Sequence, residues 1–104
     1  MTIPENKIGL YMISNFKDNE AQKIFSFEFS RKLPPEIQQK ALMKLKSIDY
    51  AAELKDLASP PGNRLEELKG NRAGTHSIRI NSQWRICFRW IGNNAHDVEI
   101  TDYH

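Results

Sequence analysis

Cysteine is nearly absent from this chain. Cys87 is the single one in 104 residues, so no intrachain disulfide can form and folding needs no oxidising compartment. No apolar run approaches the length that spans a bilayer, and the opening Met-Thr-Ile-Pro-Glu-Asn-Lys lacks the basic-then-apolar pattern of a secretory signal. Together these absences predict a cytoplasmic protein with no membrane partner. A glycine-rich phosphate loop and a serine nucleophile elbow are missing too. One cysteine and the widely spaced His76, His96 and His104 match no zinc spacing, so no metal and no cofactor are expected. Internal repeats and low-complexity tracts do not occur.

What is present is an ordinary globular balance, with 39% apolar and 27% charged residues. The length suits one domain built on one core. A net charge of +2 implies little by itself, but its distribution is uneven. Between Arg64 and Trp90 the basic residues are Arg64, Lys69, Arg72, Arg79, Arg85 and Arg89, against only Glu66 and Glu67.

Residues 1–11 mix Pro4, Glu5, Asn6 and Gly9 with few apolar side chains and read as a flexible lead-in, leaving residues 12–104 as the domain. Residues 11–16 suit a first strand. Asp18 can then cap a helix with Glu20 in its first turn and Ala21, Ile24, Phe25 and Phe29 at near-helical spacing. Pro34 and Pro35 open a second helix, where a missing N–H costs nothing, with Ile37, Ala41, Leu42, Leu45 and Ile48 as its buried stripe. A short helical piece over residues 51–57 precedes the clearest loop, residues 59–63. After a break near Lys69-Gly70-Asn71 the apolar period changes to two. Ile78, Ile80, Trp84, Ile86, Phe88, Trp90, Val98 and Ile100 would face the helices. Arg79, Arg85, Cys87, Arg89, Asp97 and Glu99 fall on the other face. The class is α+β, with helices packed on a C-terminal antiparallel sheet.

A tight connection at Asn81-Ser82-Gln83 would pair Ile78 with Ile86 and Arg79 with Arg85. Two arginines directly opposite repel, which a sequence shaped only for folding avoids. A three-residue connection at Gly92-Asn93-Asn94 would set Arg89 against Asp97 and Ile86 against Ile100. Glu99 then lies diagonally near enough to screen part of the Arg79/Arg85 charge, and Tyr103 is carried toward the same face. Such a forked cation suits a phosphodiester, because two guanidiniums can hold its nonbridging oxygens and the charge that builds up on attack at phosphorus. RNA supplies its own nucleophile, the 2′-hydroxyl, so that a base, an acid and electrostatic support complete the chemistry without a metal.

Plainer readings stand beside this one. Arginines on a strand face are often simply solvated, and a one-residue slip in register would bury them. The alternation of Trp84 and Trp90 with Ile86 and Phe88 points to core packing rather than base stacking. His76 falls on the apolar parity, His96 near a turn. His104 beside Tyr103 is a candidate proton carrier, whereas Cys87 has no histidine partner for nucleophilic chemistry.

The blocks Arg64-Leu65-Glu66-Glu67-Leu68-Lys69-Gly70-Asn71-Arg72-Ala73-Gly74, Ser77-Ile78-Arg79-Ile80-Asn81, Gln83-Trp84-Arg85-Ile86-Cys87-Phe88 and Asp102-Tyr103-His104 closely resemble HigB-type toxins of the RelE/ParE superfamily. That resemblance implies a strand, two or three helices and a three-stranded antiparallel sheet, acting as an endoribonuclease on translated messenger RNA at the ribosome. It also implies a cognate HigA-type antitoxin with a helix-turn-helix domain, through which alone the pair reaches operator DNA. By position, Arg79, Arg85 and Tyr103 match the family's active-site residues, Lys69 and Arg72 its RNA-binding basic positions, and Asp102 and His104 its terminal acid and imidazole. Some relatives carry a histidine where this chain has Glu66, which leaves Glu66 and His104 as alternative general bases. Two other functions fit the same superfamily fold or charge: a gyrase-inhibiting toxin that acts by binding, and a noncatalytic RNA- or protein-binding module.

Overall fold

In the computed structural model, residues 13–102 are described. The lead-in at residues 1–11, the start of the expected first strand, and Tyr103 and His104 lie outside them. Asp18 takes an extended conformation and its carboxylate accepts the Glu20 N–H at 2.9 Å, opening α1 (Asn19–Phe25). Its second oxygen accepts the Ile100 N–H at 3.2 Å, so one side chain both caps the helix and ties it to the sheet. The helix stops at Phe25, where Ser26 caps it. Phe29, expected on its buried stripe, is 63% exposed.

Pro35 begins α2 (Pro35–Tyr50), which buries Ile37, Ala41, Leu45 and Ile48 as the spacing predicts, and also Asp49. Ala51 turns extended and ends it. The short helix expected at residues 51–57 is instead a single 3₁₀ turn, Leu54–Ala58, held by Asp56 accepting the Ala52 and Glu53 N–H groups at 3.0 Å. It has one apolar anchor, Leu57, too few for a longer helix.

Four antiparallel strands follow among the described residues, in spatial order β1 (Glu66–Glu67), β2 (Thr75–Arg79), β3 (Trp84–Ile91) and β4 (Asn94–Asp102). The two-residue β1 was not expected, since so short a strand leaves no alternation to read. It pairs Glu66 with Ser77 and Glu67 with His76. Ile13 and Phe16 add parallel bridges to Ala95 and Val98 on the far edge, so what is described of the first strand lies beside β4.

The register of β2 on β3 is as expected, with Ile78 opposite Ile86 and Arg79 opposite Arg85. The register of β3 on β4 needs a correction. The turn has two residues, Gly92 and Asn93, both left-handed (φ 57° and 67°), which matches the twist of a hairpin. Ile91 therefore faces Asn94, and Arg89 faces His96 rather than Asp97. A bulge on β4 at Asp97, whose φ is 53°, absorbs one residue and restores the expected pairing of Ile86 with Ile100. Its cause is remote in sequence: the Asn15 side chain accepts the Asp97 N–H at 3.1 Å and donates to its carboxylate at 2.8 Å.

The helices cover the face formed by Ile78, Ile80, Ile86, Phe88, Val98 and Ile100, with Trp84 and Trp90 partly buried at its edges. His76 packs near the Phe88 ring, 6.1 Å between centroids. Among the described residues no helix is long and apolar enough to cross a membrane.

Candidate active site

On the other sheet face, the Arg79/Arg85 pair is asymmetric. Arg79 is half-buried, whereas Arg85 is only 6% exposed. The sequence placed Arg85 on an open face, and that expectation is corrected without any slip of register. Its guanidinium is held by Nε donating to Ser77 Oγ at 2.8 Å, and by Nη2 donating to the carbonyls of Arg64 at 2.6 Å and Ser77 at 3.3 Å. These three bonds go to neutral oxygens. They orient the guanidinium on the sheet face. Ser77 and Cys87, its neighbours on this face, are also buried.

The Arg64 carbonyl arrives there because residues 59–64 fold back tightly. Buried Asn63 donates to the carbonyls of Leu57 and Ser59 at 3.1 and 3.2 Å and accepts from the Lys44 ammonium. Burial pushes the Lys44 ammonium below the ordinary lysine range, and neighbouring Lys40 adds to this. Arg64 then turns left-handed (φ 46°), which swings the chain into β1. At the hairpin tip, the Asn81 side chain accepts the N–H groups of Gln83 and Trp84, both at 2.8 Å. Arg64, Arg79, Asn81, Ser82 and Arg85 thus line an open cavity of about 300 Å³. The sequence pattern gives Arg64 no role beyond its positive charge, and it marks Asn81 and Ser82 only as a turn. The arginine directly after the Pro60-Pro61-Gly62-Asn63 loop was the available signal.

Thr101 stands opposite Arg85 on β4. Its hydroxyl is the buried side-chain polar atom without a hydrogen-bond partner among the described residues.

Other expected site residues lie elsewhere. Glu66 is exposed on β1 opposite Ser77, hence on the arginine face. Lys69 is exposed at the head of a 3₁₀ turn, Gly70–Arg72. Arg72 reaches Glu99 at 3.2 Å, and Lys17 joins that carboxylate at 3.6 Å. Glu99, expected to screen the arginine pair, is engaged by these two cations instead. Arg89 still meets Asp97, at 3.4 Å, despite the changed register. The Asn15 amide above all holds the Asp97 carboxyl below the usual carboxylate range; burial opposes it, and Arg89 adds to the lowering. These ion pairs border a second cavity of about 230 Å³, which Asn71 and Thr75 also line. Asp102 pairs with Trp84. It therefore has the parity of the helix-covered face, and accepts from the Gln83 amide at 3.2 Å. No group of three His, Cys, Asp or Glu side chains forms a metal cluster among the described residues.

A family model described as the RelE-like toxin of the type II toxin-antitoxin system HigB matches residues 14–104. The chain belongs to this HigB-like toxin family. Toxin HigB-1 of Vibrio cholerae serotype O1 is 40% identical over 85 residues, covering 81% of this toxin and 90% of the relative. Endoribonuclease HigB of Proteus vulgaris is 31% identical over 93 residues, covering 89% of this toxin and the whole of that relative. A Haemophilus influenzae protein without an assigned activity is 27% identical over 85 residues. Membership of a type II family gives the toxin a protein antitoxin as partner, and its two helices on an antiparallel sheet agree with the family's RelE-like description.

Proposed function

We propose that this toxin is a cytoplasmic endoribonuclease that cuts messenger RNA during translation, with its phosphate site at Arg79 and Arg85. The observation that carries the reading is the buried, hydrogen-bonded guanidinium of Arg85 facing Arg79 beside an open cavity. Holding two like charges together opposes folding, and a phosphate between them relieves the repulsion. The Proteus vulgaris relative bears the name endoribonuclease, which supports cleavage over gyrase inhibition or passive binding.

In this reading the 2′-oxygen attacks the adjacent phosphorus as a base removes its proton. The bond to the 5′-oxygen breaks and an acid protonates that oxygen. Arg79 and Arg85 hold the nonbridging oxygens. Lys69 and Arg72 guide the RNA backbone, Arg72 exchanging part of its contact with Glu99. Glu66, on the arginine face, or His104 takes the proton, and Tyr103 orients the base or passes the proton on. Asp102 acts through Gln83 rather than on the substrate. A cognate helix-turn-helix antitoxin holds the toxin inactive and carries it to operator DNA.

Mapping transcript 5′ ends in cells expressing the toxin tests this. New ends within translated messages, lost with Arg85→Ala, are expected. Altered DNA supercoiling without new ends would replace cleavage by gyrase inhibition.

A further inference from the structure

Two phenylalanine side chains on the helical side are exposed where a small domain would bury them: Phe27 at 74% and Phe29 at 63%. The backbone holds them there. Phe27 is left-handed (φ 66°), an unfavourable conformation for an aromatic residue. Its N–H donates to the Ile24 carbonyl at 3.0 Å, while the Glu28 N–H donates to the Lys23 carbonyl at 2.8 Å. The next turn is pinned by Gln38 of α2, whose side chain accepts the Ser30 N–H at 3.0 Å and donates to the carbonyls of Ser30 and Leu33 at 2.7 and 2.9 Å. The segment presenting the two rings is therefore built in advance.

Between these rings and α2 lies a groove of about 270 Å³, floored by Ile24 and Leu42. Along α2, Gln39, Leu42, Met43 and Lys46 follow at i, i+3, i+4 and i+7, so they form one stripe. Met43 is 63% exposed. Lys46 closes the stripe with its ammonium 3.8 Å from the Phe25 ring centre and 4.8 Å from that of Phe27. Ring contacts on that side fix the cation at the groove edge.

We infer that this groove receives an amphipathic helix of the toxin's protein antitoxin. Apolar residues at helical spacing would enter between Phe27, Phe29 and Leu42, with a carboxylate over Lys46 and none beside Glu28. A straight stripe of helical period fits a helix better than a strand or a loop, and the fixed Lys46 sets the charge its partner must bring. A type II toxin has a protein antitoxin to supply such a segment. The groove lies with the helices and the arginine cavity on the opposite sheet face, so this inference stands apart from the cleavage chemistry.

Titration calorimetry of the full-length toxin with its cognate antitoxin provides the test. Phe27→Asp combined with Phe29→Asp should weaken binding by about 100-fold or more, the scale of two buried aromatic anchors. Growth arrest without antitoxin and the melting temperature should stay unchanged. Lys46→Glu should weaken binding by about tenfold. Undiminished affinity in the folded double variant overturns the proposal. If the double variant folds poorly, hydrogen exchange on the wild-type complex decides: slowed exchange in residues 26–33 supports it and unchanged exchange refutes it. A free toxin that is dimeric, and becomes monomeric in the double variant with antitoxin affinity intact, assigns the groove to a second copy instead.

Discussion

Arg79 and Arg85 stand directly opposite one another on adjacent antiparallel strands, and only Arg85 is buried. The two should therefore part company in stability while agreeing in activity. Arg79→Ala removes a like-charge pair and should leave stability unchanged or raise it by about 0.2–1 kcal/mol. Arg85→Ala strands Ser77 Oγ and the Arg64 carbonyl and should cost roughly 1–3 kcal/mol. Both should lower cleavage by about 100-fold or more. Urea unfolding beside primer-extension assays on programmed ribosomes measures the two effects. Equal destabilisation by both variants would contradict the asymmetry.

Thr101, the register partner of Arg85 on β4, offers a separate test of the arginine face. Its hydroxyl, opposite Arg85, is buried without a partner among the described residues, so Thr101→Val should stabilise the fold by up to about 1 kcal/mol. If substrate supplies the missing partner, cleavage should fall by about tenfold in the same variant. A gain in stability with full cleavage would make the hydroxyl a packing defect only.

The Asn15–Asp97 contact predicts a pH dependence with a definite sign. The Asp97 carboxyl is held below the ordinary range, chiefly by the Asn15 amide. A lowered folded value means that the carboxylate contributes its full stability above the unfolded value of about 3.9. That stability is lost as pH falls through the still lower folded value. Asp97→Asn should hence be less stable than wild type at pH 7, with the gap closing in strong acid. Melting curves between pH 7 and pH 2 measure this, and a gap that widens on acidification would reverse the assignment.

Residues 1–11 are proposed to be dispensable. Ile13 is buried, its N–H donates to the Asp49 carboxylate at 3.3 Å, and Ser14 donates to the Ala95 carbonyl at 2.7 Å. A chain begun at Met12 keeps these contacts and should arrest growth and melt as the full chain does. A chain begun at Phe16 loses Ile13 and Asn15 together and should be destabilised by about 2–5 kcal/mol. Loss of toxicity in a folded Met12 chain would show that the lead-in has a role.

The sequence alone carried whatever repeats locally. A change of apolar period from helical to two marked the order of helices and sheet. The Asn81 turn set Arg79 against Arg85, and four short blocks of residues carried the family. Tertiary structure decided what depends on segments distant along the chain. Alternation says which face Arg85 joins, but its burial comes from the carbonyl of Arg64, 21 residues away. The turn chemistry at Gly92 and Asn93 is local, yet the bulge that reconciles it with the pairing of Ile86 and Ile100 is held by Asn15, 82 residues from Asp97. Phe29 continued the spacing of α1 on paper, until the Gln38 side chain fixed the Ser30 backbone beyond the helix end. Periodicity records which side chains share a surface. Whether that surface is open or covered depends on hydrogen bonds formed only when the whole chain has folded.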